Sequence, residues 1–135
     1  VKYETIDVME NCRKYGSSFK HTTIDFLDYN PNYKLNHIIL FGVLGISKAD
    51  GMEYSLHLKE NKIIKKIDEL LELNGTVLLG PDIVENRPHS SLNNYSNITF
   101  WNNLIKNNEI IKNKYVVEEN FKGRANMIIV LKKIL

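Results

Sequence analysis

His37-Ile38-Ile39-Leu40-Phe41-Gly42-Val43-Leu44-Gly45-Ile46 is a continuous apolar run, and it constrains the fold more than any other stretch. Pro31 and Asn32 bound it on one side; Lys48, Asp50 and Gly51 bound it on the other. A short segment apolar on both faces reads as a strand buried under helices on both sides, the usual state of a parallel sheet's centre. Periodicity alone leaves a buried helix open, but the β-branched residues and two glycines oppose one. The glycines come late in the run, where a strand of an open α/β sheet meets its ligand crevice. The run is therefore predicted to be the central strand, with residues 42–46 as the floor of a site.

The rest of the chain must cover that strand. With 135 residues there is enough for one domain and one core. A net charge of +2, from 18 basic and 16 acidic residues, gives no global case for a nucleic-acid partner. The lone cysteine, Cys12, has no internal disulfide partner and reads as a half-buried thiol in a reducing compartment. No apolar run has the length of a membrane span, and no signal-peptide pattern opens the chain. A cytoplasmic protein without a membrane partner is expected, and assembly into a homo-oligomer is left open. Asn94-Tyr95-Ser96 and Asn97-Ile98-Thr99 match the glycosylation sequon, which an Asn-rich chain produces by chance.

In order, residues 1–8 alternate and are rich in β-formers, predicting a strand with Asp7 at its end. Residues 9–15 suit a short helix stopped by Gly16. A second strand is predicted over 19–26, followed by the turn cluster Asn30-Pro31-Asn32. After the central strand, residues 47–56 read as a polar, flexible link. Ile63, Ile64, Ile67, Leu70 and Leu71 then form one helical face, with Asn74-Gly75 as its stop. Thr76 to Leu79 is the next strand. Asp82 to Ser96 is a loop of about fifteen residues, a length that compact domains reserve for function or disorder. Phe100, Trp101, Leu104, Ile105 and Ile111 mark one further helix from an N-cap at Thr99. Strands over 115–121 and 126–131 flank a turn at Gly123 and close the chain as a hairpin. Alternation of this kind predicts an α/β fold: a mostly parallel sheet, right-handed crossovers, helices on both faces in three α/β/α layers, and a C-terminal antiparallel hairpin.

The segment order and its acidic positions resemble a class I S-adenosylmethionine-dependent methyltransferase, a Rossmann-like family, from the second strand onward. Ile6-Asp7-Val8 sits where that family ends its second strand with a carboxylate that grips the cofactor's ribose hydroxyls. Ile24-Asp25-Phe26 sits where the third strand ends near the adenine. Leu40-Phe41-Gly42-Val43-Leu44-Gly45 matches the end of the fourth strand, at the reaction centre. Leu70-Leu71-Glu72-Leu73-Asn74-Gly75-Thr76-Val77-Leu78-Leu79 resembles the helix, glycine and fifth strand that follow. The resemblance implies methyl transfer from S-adenosylmethionine to a small molecule or protein. It implies a cofactor site at Asp7, Val8, Asp25, Phe26, Phe41, Gly42 and Val43, with no catalytic base designated. It covers nearly the whole chain, without a highly specific motif. The family's first strand and glycine-rich loop would precede Val1, and no G-x-G-x-G occurs. The fourth strand lacks the Asn/Asp-Pro-Pro-aromatic signature of many amino-methylating members, which turns the expectation away from DNA. The whole chain, residues 1–135, is thus expected to be one methyltransferase-like domain without its first strand and glycine loop.

Blander readings stay beside these. Asp7 and Asp25 also suit ordinary caps or solvated turns, Phe41 a core position, and Gly42 and Gly45 close helix packing. A non-catalytic Rossmann-like interaction domain or subunit is the alternative function. His37 is expected at the surface and His21 in a structural role, whereas His57 or His89 could supply a base. No His or Cys pair has metal-ligand spacing, so no metal is expected.

Overall fold

The first fifteen described residues already show a parallel pairing, which needs a crossover of about a dozen residues between its strands. The computed structural model describes residues 2–7, 20–40, 46–49, 52–55, 60–80, 102–122 and 127–135, with backbone alone for residues 7, 46–49, 52–55, 119–122 and 127. The chain divides into two compact units, Val1–Asn32 and Tyr33–Leu135.

In the first unit, β1 (Glu4–Asp7) pairs parallel with β2 (Lys20–Thr23), Glu4 opposite Lys20 and Asp7 opposite Thr23. Thr5 Oγ1 and His21 Nδ1 are 2.7 Å apart, so His21 has the structural role expected of it. The buried Tyr29 donates its hydroxyl to the Glu4 carboxylate, which ties the segment after β2 back to β1. Both strands are shorter than the sequence predicts. The second ends at Thr23 because Asp25 turns the chain: its Oδ1 accepts from Leu27 N at 2.8 Å and caps a 3₁₀ turn, Phe26–Asp28. The helix expected over 9–15 lies outside the described residues.

In the second unit, β3 (Leu35–Leu40) is followed by β4 (Ile46–Ala49), β5 (Met52–Ser55), α1 (Glu60–Leu70) and β6 (Leu71–Leu79). Helix α2 spans 102–107, α3 is Glu109–Lys114, β7 is Tyr115–Lys122 and β8 is Met127–Lys133. A four-stranded sheet has the order β3-β6-β8-β7, and β4 pairs with β5 in a separate antiparallel ribbon. The fold is α/β, but its sheet is mixed rather than mostly parallel. Only β3–β6 is a parallel pairing; β6–β8 and β8–β7 are antiparallel. The cause is the terminal hairpin. Its second strand inserts between β6 and β7 instead of adding at the edge, so one reversed strand converts two neighbouring pairings.

Burial along β3 alternates. Ile38 and Leu40 are buried, whereas Ile39 between them is 65% exposed. The register puts Ile38, Val77 and Leu131 in one row and Leu40, Leu79 and Ile129 in the next, all buried on one face. Helices α1 and α3 touch each other and pack on β6 and β7, so they share a side of the sheet. The expectation of two covered faces is therefore met on one face only among the described residues. Continuous apolar sequence over 38–40 did not mean burial on both sides. Nor is β3 central in its sheet; it is an edge among the described strands.

Helix α1 forms on the predicted stripe, with Ile63, Ile64, Ile67 and Leu70 buried. It ends at Leu70, four residues before the predicted stop at Asn74-Gly75. From Leu35 to His37, β3 advances two residues while β6 advances five, from Leu71 to Thr76. The extra chain loops out through Asn74, which is left-handed at φ 66°. Gly75 closes the loop-out: a Cβ there would meet Leu71 Cγ and Cδ1 at 2.8 Å and the Asn36 carbonyl oxygen at 2.9 Å. The single helix expected from Thr99 to Ile111 is two. Asn108 leaves helical geometry (ψ 120°) and its side chain accepts from Ile110 N and Ile111 N, both at 3.1 Å, starting α3 anew.

One carboxylate pins α1 to the end of the sheet. Asp68 Oδ2 accepts from Lys114 Nζ at 2.7 Å; its Oδ1 accepts from Lys133 Nζ at 3.0 Å and from the Tyr115 hydroxyl at 3.1 Å. Lys133 Nζ also donates to the carbonyls of Asp68 (2.6 Å) and Leu71 (3.1 Å), capping the helix C-terminus with a cation. Burial alone would raise the Asp68 carboxyl. The hydrogen bonds from Lys114 and Lys133, the Lys133 charge and the Tyr115 hydroxyl outweigh it and hold the carboxyl below its ordinary value of 3.8. Burial, then the Asp68 charge and hydrogen bond, push the Tyr115 phenol well above its ordinary range.

Two expectations follow for stability. Gly75→Ala forces a methyl against a backbone carbonyl and should cost about 1–3 kcal/mol in urea unfolding, as overpacking does. A Gly75→Ala protein as stable as wild type would contradict the close approach of β6 to β3. Because the folded Asp68 carboxyl is depressed, its contribution is present above pH 3.8 and fades as pH falls through the lower folded value. Asp68→Asn should therefore lose about 2 kcal/mol near neutral pH. It should also flatten the acid limb of the stability curve below pH 3.8. Parallel curves for the two proteins would show that Asp68 is not held as described.

Candidate functional site

Strands that run parallel bring their C-terminal ends to one edge, and the residues leaving those ends form the ligand side of an open α/β sheet. In the first unit that edge carries Asp7, the last residue of β1, opposite Thr23, the last residue of β2. Asp25 follows two residues later. The structure thus places both candidate carboxylate residues at the same end of one parallel pair. The Asp25 carboxylate is part-buried, with Oδ1 committed to the Leu27 amide. Phe26, also half-buried, opens the 3₁₀ turn. Val8 lies outside the described residues.

In the second unit the corresponding edge is the end of β3 and β6. Leu40 lies opposite Leu79, and Gly80 N donates to the Leu40 carbonyl at 2.8 Å, so the two strands stay paired to the point where they end. Phe41, Gly42 and Val43 follow Leu40 in sequence and lie outside the described residues, as do Cys12, His57 and His89. His37 is exposed, as expected, and its Nδ1 is 2.8 Å from Thr76 Oγ1 across the β3–β6 pair. It is occupied within the sheet and is three residues short of the rim. Among the described residues no group of three or more His, Cys, Asp or Glu side chains is placed to hold a metal ion. No described helix is long and apolar enough to cross a membrane.

One element is missing from the sequence expectations. Residues 47–56, expected to be a flexible link, hold all but the first residue of the β4–β5 ribbon, with Ala49 opposite Met52 and Ile46 opposite Ser55. The available signal was Asp50-Gly51, a dipeptide suited to two-residue hairpin connections, between short runs that mix polar and apolar residues.

Neither a protein-family model nor a curated protein sequence matches the chain. Solved structures do. The N-methyltransferase NodS from Bradyrhizobium japonicum WM9, in complex with S-adenosyl-L-homocysteine, superposes with a TM-score of 0.62 at 14% identity, over 98% of this chain and 66% of that one. An rRNA methylase from Streptococcus thermophilus gives 0.53 at 10% identity, over 88% of this chain and 63% of that one. A putative methyltransferase from Streptococcus mutans in complex with SAH gives 0.50 at 16% identity, over 98% and 72%. The chain spans roughly two thirds of the length of these neighbours. At such identities the likeness is one of fold: this chain is built on the α/β fold that these methyltransferases share.

Proposed function

We propose that this chain belongs to an S-adenosylmethionine-dependent methyltransferase, acting in the cytoplasm on a small molecule or protein. The observation that carries the reading is the shared fold, combined with carboxylate residues leaving the C-terminal end of a parallel strand pair. Two of the neighbours are complexes with S-adenosylhomocysteine, the product left when S-adenosylmethionine gives up its methyl group.

The residues fit the cofactor. A carboxylate at Asp7 can accept from two vicinal ribose hydroxyls, an arrangement that dinucleotide-binding sheets also use. The Asp25 cap engages Oδ1 and so orients the carboxylate, while the acid can still accept from the exocyclic amine of adenine. Phe26, opening the turn that Asp25 caps, offers a ring face for the base. Phe41, Gly42 and Val43 follow β3 in sequence, and a glycine there is a residue type that permits close approach of backbone to ligand. Methyl transfer from a sulfonium to a good nucleophile needs chiefly alignment of donor and acceptor, so no base is assigned.

The same reading implies a further strand beside β3 and a helical layer over the second face of the sheet. Two features support this. The edge strand β7 carries Glu118 and Glu119 and a register shift between Val117 and Glu119, devices that discourage further pairing. The segment Leu35–Leu40 of the opposite edge has no charged residue and no proline, so it is open to another strand. On the second face, the row Ile39, Leu78 and Val130 is apolar and incompletely covered, a surface that parallel sheets ordinarily bury.

Affinity for S-adenosylhomocysteine tests the residue roles. Asp7→Ala should lose one or two charge-assisted hydrogen bonds, about 1.5–3 kcal/mol each, and Asp25→Ala a smaller part of that because the acid also caps the turn. Asp7→Asn, which keeps an acceptor, should fall between Asp7→Ala and wild type. Equal affinity in wild type and Asp7→Ala would remove Asp7 from the ribose.

A further inference from the structure

A helix is stabilised by acidic residues in its first turn, basic residues in its last, and opposite charges one turn apart. Helix α1 is charged largely the other way. Asp68 and Glu69 lie in its last turn, which has no basic residue, and Lys62, Lys65 and Lys66 all precede them; Glu60 alone follows the preference. Lys62 also stands three and four residues before Lys65 and Lys66, spacings at which like charges repel. At the C-terminal end cations from elsewhere offset the mismatch: Lys114 and Lys133 bind the Asp68 carboxylate, and Lys34 donates to the Glu69 carbonyl. Nothing equivalent reaches the exposed Lys62 and Lys65; among the described residues no carboxylate pairs with either. Charges that work against the helix carrying them point to a use outside it.

Helix α2 extends the same face. Asn108 Nδ2 donates to Asn61 Oδ1 at 3.3 Å, which sets the end of α2 beside the start of α1. In α2, Leu104 is buried, and Asn102, Asn103, Lys106 and Asn107 are exposed. Lys106 likewise has no ion pair among the described residues. Two helices thus present three exposed, unmatched lysines among asparagine amides. The nearest exposed acid beyond α2 is Glu109, which Lys112 already pairs at 3.4 Å.

This composition selects the partner. A surface that binds an acidic protein segment ordinarily uses arginine forks and a desolvated apolar centre. The exposed positions of α1 and α2 carry neither an arginine nor an apolar side chain. Ammonium groups and side-chain amides are the donors that contact phosphates. No aromatic ring stands among these positions for an unpaired base to stack on, which favours the backbone of a duplex over a single strand.

We propose that the exposed face shared by α1 and α2, centred on Lys62, Lys65 and Lys106, docks the phosphate backbone of a duplex nucleic acid. Docking of this kind needs no cofactor and assigns no methyl acceptor, so it holds or fails independently of the methyltransferase reading.

Fluorescence anisotropy of a labelled duplex, RNA in one arm and DNA in the other, tests this on the whole chain. Three lysine contacts predict saturable binding whose affinity falls about 40-fold between about 50 and about 200 mM salt. Replacing Lys62, Lys65 and Lys106 together with glutamine should weaken binding about 10-fold or more at the lower salt. Each replacement alone should weaken it on both duplexes and reduce the log–log salt slope by about 1. Because Lys62 and Lys65 oppose their own helix, Lys62→Gln/Lys65→Gln should unfold at no lower urea concentration than wild type. Lys20→Gln, which removes an exposed lysine of the first unit, should leave binding unchanged. Equal binding of the two duplexes marks contact with phosphates alone, and a preference for one marks contact with its sugars as well; both outcomes support the docking face. No saturable binding to either duplex at the lower salt, an equal loss with Lys20→Gln, or a destabilised Lys62→Gln/Lys65→Gln protein overturns it. Tighter binding of poly-glutamate than of either duplex assigns the face to an acidic protein segment and overturns the nucleic acid.

Discussion

The parallel pairing of β3 with β6 is the constraint on which the rest of the second unit depends. Parallel neighbours cannot be joined by a tight turn, so the chain must leave the sheet, form α1 and return. That journey sets α1 on one face, and its isoleucine stripe covers the rows headed by Ile38 and Leu40. It also brings the C-terminal ends of β3 and β6 to one rim, held by the Gly80–Leu40 hydrogen bond. The rim exists because the pairing is parallel. The β4–β5 ribbon stands in the connection that the pairing makes necessary.

The pairing is secured at its opposite end by polar groups. Asn36 donates to the Glu72 carboxylate and Lys34 to the Glu69 carbonyl, joining the start of β3 to the loop-out of β6 and the end of α1. Asp68 then ties the same end of α1 to Lys114, Tyr115 and Lys133, so the helix, α3 and the terminal hairpin meet at one carboxylate. Each of its partners comes from the last quarter of the chain. The hairpin's contribution is therefore specific. It fills the sheet beyond β6 with an antiparallel strand, and it delivers the cation that ends α1.

Much of this was legible in the residues, and the misses share a cause. The isoleucine stripe of α1, the strand Thr76–Leu79 and the terminal hairpin follow from local periodicity. The likeness to methyltransferases was carried by the order of elements, and the solved structures agree with it. What failed depended on partners distant in sequence. The run His37–Ile46 looked buried on both sides, yet Ile39 is exposed because the described helices gather on one face. Asn74-Gly75 looked like a helix stop, yet it shapes a loop-out whose geometry is set by Asn36 across the sheet. Asn108 looked like an interior residue of one long helix, yet it caps a second. Of the site, Asp7 and Asp25 were found as residues at strand ends, but the capping role of Asp25 was not the reason for finding it. The ribbon after β3 was overlooked because its Asp-Gly signal sits in polar sequence.

The proposed function rests on the shared fold and on the first unit, where acidic residues leave the C-terminal end of a parallel strand pair, a placement that suits a ribose and an adenine. The most direct measurement is calorimetric titration of the protein with S-adenosylmethionine and with S-adenosylhomocysteine. The account expects one molecule of either bound per chain, the demethylated product included. Heats indistinguishable from dilution for both would contradict it, and would leave the shared fold without the cofactor it serves in its neighbours.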